Sequence, residues 1–140
     1  MKTMQKLLVI TVTFAVAFIF LFGQAATAQT KKPWVIPDKY KSMKSTNKAG
    51  DATAIASGKE LWAKHCKSCH GSKGLGDGPK AASLKTNPGD FSSAAFQGQS
   101  DGAIYYESFV GRDEMPNFEK KITTEKERWD LVTYIRTLKK

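Results

Sequence analysis

The sequence predicts an all-α domain, built from three to four short helices that are separated by long loops. Apolar residues recur at helical spacing in several segments after residue 50, and no segment alternates apolar and polar residues as a strand would. Residues 71–79 include four glycines and a proline, which break the helical pattern. A helical domain with a long irregular middle is therefore expected over residues 51–140.

The first 28 residues have the features of an export signal. Two lysines precede an uncharged apolar run at residues 7–22, and residues 26–28 fit the small-x-small pattern of a cleavage site. The alternative is an uncleaved membrane anchor, although this run is shorter than the roughly 20 residues that a spanning helix needs. We expect an exported, periplasmic protein that is either released or anchored through its N-terminus.

The net charge of +9 lies mostly outside the predicted domain. Residues 29–50 carry six lysines and one aspartate, whereas residues 51–140 carry 14 basic and 12 acidic side chains. Residues 29–50 are therefore predicted to be a solvated basic linker, which could also touch an acidic partner or an anionic membrane. The residues of this segment able to dock on the domain are Trp34, Val35, Ile36 and Tyr40. No basic helix or aromatic-basic repeat indicates nucleic-acid binding.

The first two helices are predicted from their capping residues. Ser57 with Glu60 fits a capping box at the start of a helix that runs into the cysteine pair. After a loop-like stretch at residues 81–99, with a turn at Asn87-Pro88-Gly89, Ser100 is the predicted cap of a short helix. This helix runs through Val110 and is ended by Gly111.

The last helix has the clearest pattern. Thr124 and Glu127 form a second capping box. The apolar stripe that follows at i, i+3, i+4 and i+7 consists of Leu131, Tyr134, Ile135 and Leu138. This spacing predicts a helix with one face in the core.

The motif Cys66-Lys67-Ser68-Cys69-His70 points to the chemistry of the protein. This Cys-x-x-Cys-His spacing is the attachment signature of a c-type haem, because each thiol can add to a haem vinyl group. The adjacent His70 is then held under the iron as the fifth ligand. We therefore expect one haem c, attached covalently through Cys66 and Cys69.

The cysteine pair has three other interpretations. A thioredoxin-like redox centre would need a βαβ context, which the sequence lacks. A zinc site usually has a second ligand pair at a distance, and the only other histidine is His65. A structural disulfide would close a very short loop and contribute little stability.

The sixth iron ligand is identified largely by elimination. Met1 and Met4 belong to the signal and Met43 to the linker, which leaves Met115 as the only methionine of the domain. A thioether is a suitable haem ligand and raises the reduction potential. Pro116 disfavours a helical conformation at Met115, as an extended ligand-bearing segment requires.

Pro79 is a candidate for a supporting role. An iron-bound histidine usually donates its other N–H to a carbonyl or carboxylate, which fixes the ring orientation. The carbonyl of Pro79 is the predicted acceptor for His70, and the alternative is that Gly78-Pro79 is only a turn.

Residues 54–138 resemble the class I cytochrome c family, in its bacterial branch. Besides the haem motif, four helix positions carry the resemblance: Gly58, Trp62, Leu131 and Tyr134. Two segments also carry it: the stretch from Cys69-His70-Gly71 through Gly76-Asp77-Gly78-Pro79, and Gly111-Arg112-Asp113-Glu114-Met115-Pro116. The resemblance implies a cytochrome c fold, in which the first and last helices cross closely at the small residue. It also implies that a proline carbonyl supports the haem-bound histidine. The family's propionate-binding aromatics have no clear counterpart, and Trp129, Tyr105 and Tyr106 are the candidates.

The expected function is electron transfer by a monomeric carrier between redox proteins, without bond chemistry. Lysines that could form a weak basic docking ring are Lys64, Lys67, Lys73 and Lys80. Two alternatives stay open: a haem sensor or enzyme with an open sixth site, and a membrane-anchored subunit of a respiratory complex. The sequence offers no distal histidine for the first, since His65 lies on the helix of the attachment motif.

Overall fold

A computed structural model describes residues 33–140, so the predicted export signal lies outside the described residues. The structure is all-α, and the described residues form no β-strand. The helices are α1 (Asp38–Lys41), α2 (Ala52–His65), α3 (Lys67–His70), α4 (Ala94–Gln97), α5 (Asp101–Phe109) and α6 (Glu125–Arg136), with a 3₁₀ turn at Ala81–Ser83. Three helices have nine or more residues, as predicted, and the remaining four elements are single turns.

Helix α2 begins earlier than the sequence pattern indicated. Its cap is Asp51, whose carboxylate accepts hydrogen bonds from the backbone N–H groups of Thr53 and Ala54, both at 3.0 Å. The predicted capping box at Ser57 and Glu60 is therefore wrong. Both residues lie inside the helix, because an aspartate is as good a cap as a serine and stands six residues earlier.

The caps of α5 and α6 are confirmed. Ser100 accepts a hydrogen bond from the N–H of Ala103, and Gly111 follows the helix with a φ of +72°. Thr124 and Glu127 form the reciprocal capping box at the start of α6. Both helices therefore begin where a side-chain oxygen can satisfy the otherwise unpaired N–H groups of the first turn.

Helices α2 and α6 cross at Gly58, and this crossing forms the centre of the fold. A Cβ at Gly58 would overlap the backbone carbonyl of Asp130 and lie 2.7 Å from the Cβ of Tyr134. Trp62 packs on Tyr134 with ring centroids 5.9 Å apart, and Leu131 is buried beside them. The close helix crossing that the family resemblance implied is therefore present in this chain.

Residues 33–50 are packed against the domain, which corrects the expectation of a solvated linker for this part of the chain. Tyr40 lies on Tyr106 of α5 with ring centroids 4.7 Å apart. The side-chain amide of Asn47 donates to Asp130 and to Thr133 of α6, both at 3.0 Å. The prediction was wrong here because it rested on the lysines, which do lie at the surface. The aromatic and amide side chains between them face the domain.

The middle of the chain is irregular, as predicted, apart from the short turns of α4 and Ala81–Ser83. Backbone hydrogen bonds fold it back on itself: the N–H of Gly76 donates to the carbonyl of His70, and the N–H of Phe91 to that of Gly74. Phe91 of this loop then lies with its ring centroid 4.5 Å from that of His70, and Leu84 lines a cavity beside Cys69 and His70. Within residues 33–140, no helix is both long enough and apolar enough to cross a bilayer.

Candidate functional site

The attachment motif is presented by the end of α2 and by the single turn of α3. Cys66 is the residue between the two helices, and His70 ends α3 as a buried side chain with 7% of its surface exposed. Trp62, one turn before Cys66, donates its indole N–H to the carbonyl of Gly71 at 3.0 Å. This hydrogen bond fastens the chain after the motif to the helix before it.

Three cavities adjoin the motif, and His70 and Met115 line all of them. The tryptophan cavity (about 60 Å³) is also lined by Trp34 and Cys66. The arginine cavity (about 110 Å³) is also lined by Cys69 and Arg112, and the lysine cavity (about 330 Å³) by both cysteines and several lysines. The lysine cavity is thus lined by two thiols, an imidazole and a thioether, although Met115 lies 45 residues after His70 in the sequence.

The turn that carries Met115 is tightly folded. The backbones of Arg112 and Met115 exchange hydrogen bonds of 2.9 and 2.8 Å, and Asp113 between them has a positive φ of 49°. A Cβ at Gly111 would overlap the carbonyl of Met115. The carboxylate of Glu114 accepts from the backbone N–H groups of Lys85 and Thr86 at 2.8 and 3.1 Å. The turn is therefore fixed both internally and to the middle loop.

His70 is held as a neutral imidazole. Burial lowers the pKa of His70 to about 4, and the carbonyl of Pro88 opposes that shift only in part. Its Nδ1 atom is buried and has no hydrogen-bond partner among the described residues. A neutral imidazole is the form that binds iron, and a buried nitrogen without a partner indicates that the site is completed by a further group.

The two cysteines are not joined in a disulfide, and the environment of Cys66 is unlike that of a nucleophilic thiol. Burial, and to a lesser extent the neighbouring Cys69, raises the pKa of Cys66 to about 12. A catalytic dithiol needs the opposite shift, because the thiolate is the nucleophile. Among the described residues, no group of three or more His, Cys, Asp and Glu side chains is arranged to share a metal ion.

Pro79 does not lie at the site, and a different proline, Pro88, is found there. Pro79 is exposed and lines none of the three cavities, whereas Pro88 lines two of them and its carbonyl acts on the imidazole of His70. The loop between them folds back through the bond from Phe91 to Gly74. Pro88, which the sequence marked only as part of a turn, is therefore the candidate for this role, and support of His70 by a proline carbonyl stays a prediction.

The aromatic lining also differs from the sequence-based candidates. Trp129 and Tyr105 are in the core, with 2% and 5% of their surface exposed, and neither lines the cavities. Tyr106 packs on Trp34 and Tyr40 instead. Aromatic residues that do line the tryptophan cavity are Trp34, Trp62, Phe91 and Phe96.

Phe91 and Phe96 were not identified from the sequence. Their rings stack in parallel with centroids 4.1 Å apart, and Phe91 lies 4.5 Å from the ring of His70. Together with Trp62 they form an apolar wall on the histidine side of the site. The turn at Asn87-Pro88-Gly89, which returns the chain toward the motif, was the only sequence signal that could have placed them there.

These residues fit a covalently attached haem. Cys66 and Cys69 are available for two thioether bonds, and His70 and Met115 are available as axial ligands. Aromatic walls are suited to a large flat apolar ring. The unpartnered Nδ1 of His70 has the Pro88 carbonyl as its candidate acceptor once the other nitrogen binds iron.

Comparison with known proteins gives the same assignment. The family model described as cytochrome c matches residues 55–139, from early α2 to the end of the fold. No curated protein matches the chain. The match covers more than half of the sequence and includes the attachment motif, Met115 and the helix crossing. The chain therefore belongs to the cytochrome c family, whose members bind haem c and carry electrons.

Proposed function

We propose that the protein is an exported monohaem cytochrome c that passes single electrons between redox proteins, without acting as an enzyme. The observation that carries the proposal is that His70 and Met115 line the same three cavities, with Cys66 and Cys69 beside them. This arrangement would supply a nitrogen ligand, a sulfur ligand and two attachment points for one haem.

The haem supplies the one-electron chemistry of its iron, and the protein controls where and at what potential that chemistry occurs. Cys66 and Cys69 keep the cofactor on the chain. His70 enters as a neutral ligand because its burial disfavours the imidazolium. Met115 would hold the iron through a soft sulfur atom, a type of ligand that raises the reduction potential. Trp62, Phe91 and Phe96 exclude water on the histidine side.

Docking of a redox partner is proposed at the lysine cavity. Its lining includes Lys64, Lys80 and Lys121 beside both cysteines, so a positive rim surrounds the side of the site that carries the thioether positions. Lys67 and Lys73, which the sequence also suggested, are outside this lining. Glu114 is the one acidic residue there. A partner with an acidic patch would be attracted, and long-range charge would mainly raise its association rate.

The location and the assembly state are also proposals. The apolar run at residues 7–22 and the small-x-small pattern at residues 26–28 support export to the periplasm. A monomer that is released would diffuse between partners, whereas retention of the apolar run would hold the same domain at a membrane. The mass of the mature protein distinguishes these two cases.

The test is a redox titration of the purified, exported protein, followed by optical absorption. The proposal expects one covalently bound haem that titrates reversibly as a single one-electron couple and does not bind carbon monoxide when reduced. Rapid carbon monoxide binding by the unmodified protein would instead support a sensor or enzyme with an open sixth site. Absence of covalent haem would contradict the proposal altogether.

A further inference from the structure

Residues 33–47 contribute to the cofactor site although they precede the region that the family model matches. Trp34 lines the tryptophan cavity together with His70 and Met115. Its neighbour Val35 is 87% exposed, so the chain at this point presents one side chain to the site and the next to solvent. Trp34 is thus an aromatic wall residue supplied from outside the matched region, residues 55–139.

Trp34 is also joined to the turn that carries Met115. The guanidinium of Arg112 lies over the Trp34 ring, 3.9 Å from its centroid. The same guanidinium donates from Nη1 to the backbone carbonyl of Pro33 at 2.6 Å. Because the backbone of Arg112 is paired in both directions with that of Met115, a displacement of Arg112 would move the methionine.

The segment is anchored at further points along its length, so Trp34 is not held by Arg112 alone. Trp34 meets Tyr106 edge to face with centroids 6.2 Å apart. The carbonyl of Tyr40 lies so close to Gly102 of α5 that a Cβ there would overlap it. Asn47 is hydrogen-bonded to α6. The strap, as we call residues 33–47, therefore runs from the methionine turn to the last helix.

We propose that the strap closes the methionine side of the haem site, with Trp34 as a wall of the cofactor cavity and as a positioning residue for Met115 through Arg112. The inference rests on the proposed function, since it concerns a haem bound between His70 and Met115. Its consequence is kinetic: external ligands reach the iron only when Met115 leaves, and the strap makes that departure rare.

The test measures how fast imidazole displaces Met115 from the oxidised holoprotein, followed by loss of the weak long-wavelength absorption of methionine-ligated haem. Trp34→Ala removes both the wall and the cation–π contact, and displacement is expected to become about tenfold faster. Trp34→Phe keeps an aromatic face and should restore a rate within about threefold of the unmodified protein. Val35→Ala, an exposed neighbour, is the matched control and should leave the rate unchanged.

Asn47→Ala separates positioning from general stability. It removes one anchor at the far end of the strap and leaves the contacts of Trp34 and Tyr40 in place. It should therefore lower the midpoint of thermal unfolding but leave the imidazole rate near that of the unmodified protein. Equal rates for Trp34→Ala and Val35→Ala would overturn the inference alone. Absence of the methionine-ligated spectrum in the unmodified protein would overturn the proposed function and the inference together.

Discussion

The crossing of α2 and α6 and the loop side of the haem site are held together in different ways. At the crossing, the two helices are in direct contact. The backbone carbonyl of Asp130 packs against the backbone of Gly58, and Leu131 beside it is 1% exposed. On the loop side, single backbone hydrogen bonds and short turns surround three cavities that His70 and Met115 share.

The difference indicates which half of the fold depends on the cofactor. A close-packed crossing derives its stability from contacts that exist in the polypeptide alone. Walls around a cavity lack contact atoms on one side until a group fills the space. We therefore expect the helix crossing to respond mainly to packing mutations, and the loop side to respond mainly to the presence of haem.

The largest effect is expected from removal of both attachment points. The double variant Cys66→Ser/Cys69→Ser should carry no covalent haem and lose more than about 4 kcal/mol of unfolding free energy, since a ligand at a thousandfold its dissociation constant already contributes that much. Proteolysis should cut first within residues 71–99, ahead of α2 and α6. Ser68→Ala, between the cysteines, is the control and should retain haem. Equal protease resistance of the two variants would contradict the claim that the loop side depends on haem.

The next largest effect is expected at the crossing. Gly58→Ala places a Cβ against the Asp130 carbonyl and should destabilise the holoprotein by about 3 kcal/mol, as measured by denaturant unfolding. The sign of this change in unfolding free energy is informative. Without the close crossing, the substitution should be stabilising, because alanine is a better helix former than glycine by about 1 kcal/mol. The neighbouring Lys59→Ala is exposed and should change stability by less than about 0.5 kcal/mol. A stabilised Gly58→Ala would show that the helices do not cross this closely.

An intermediate effect is expected from removing the hydrogen bond between Trp62 and Gly71, which links the two regions. Trp62→Phe keeps an aromatic ring but leaves the buried carbonyl of Gly71 without its donor, at a cost of about 1–2 kcal/mol. Trp129→Phe is the matched comparison, since it shortens an equally buried indole whose N–H reaches Glu125 only at 3.4 Å. Denaturant unfolding of both should show the larger loss for Trp62. The haem circular dichroism should change only for Trp62→Phe; a change for Trp129→Phe alone would rule out this role for Trp62.

The smallest effect is expected where the methionine turn meets the middle loop. Glu114→Gln weakens the charge-assisted hydrogen bonds to Lys85 and Thr86 and should lower stability by about 0.5–1 kcal/mol. The long-wavelength methionine absorption should disappear at a lower temperature than in the unmodified protein. Glu60→Gln, an exposed position on α2, serves as the control, and an identical melting of that absorption in both variants would exclude a supporting role for Glu114.

The sequence predicted the parts of the molecule that depend on local patterns. The caps at Ser100 and Thr124 involve residues within three positions of each other, and the haem motif is contiguous. The cap prediction at Ser57 was wrong because two cap patterns overlap in one segment. Ala54, one turn before Gly58, is 2% exposed and lies on the same buried face, which places the start of α2 before Ser57.

Most of the missed features depend on contacts between distant residues. Pro79 and Pro88 are both prolines near glycines, and only the folding of the middle loop decides which of them lies beside His70. Trp34 lies among lysines and prolines, so its segment has the composition of a linker, and its contact with Arg112 spans 78 residues. Such pairings leave no periodic signal in a single sequence.

The central claim is that one haem is held between His70 and Met115. Its most direct test is the absorption spectrum and reduction potential of the oxidised and reduced holoprotein, compared among the unmodified protein, Met115→Ala and Met43→Ala. We expect Met115→Ala to retain covalent haem, lose the long-wavelength methionine absorption and shift the potential downward by on the order of 0.1 V, within the range that axial ligands control. Met43 lines none of the three cavities, so Met43→Ala should leave the absorption and the potential unchanged. An unaltered spectrum and potential in Met115→Ala would contradict the account.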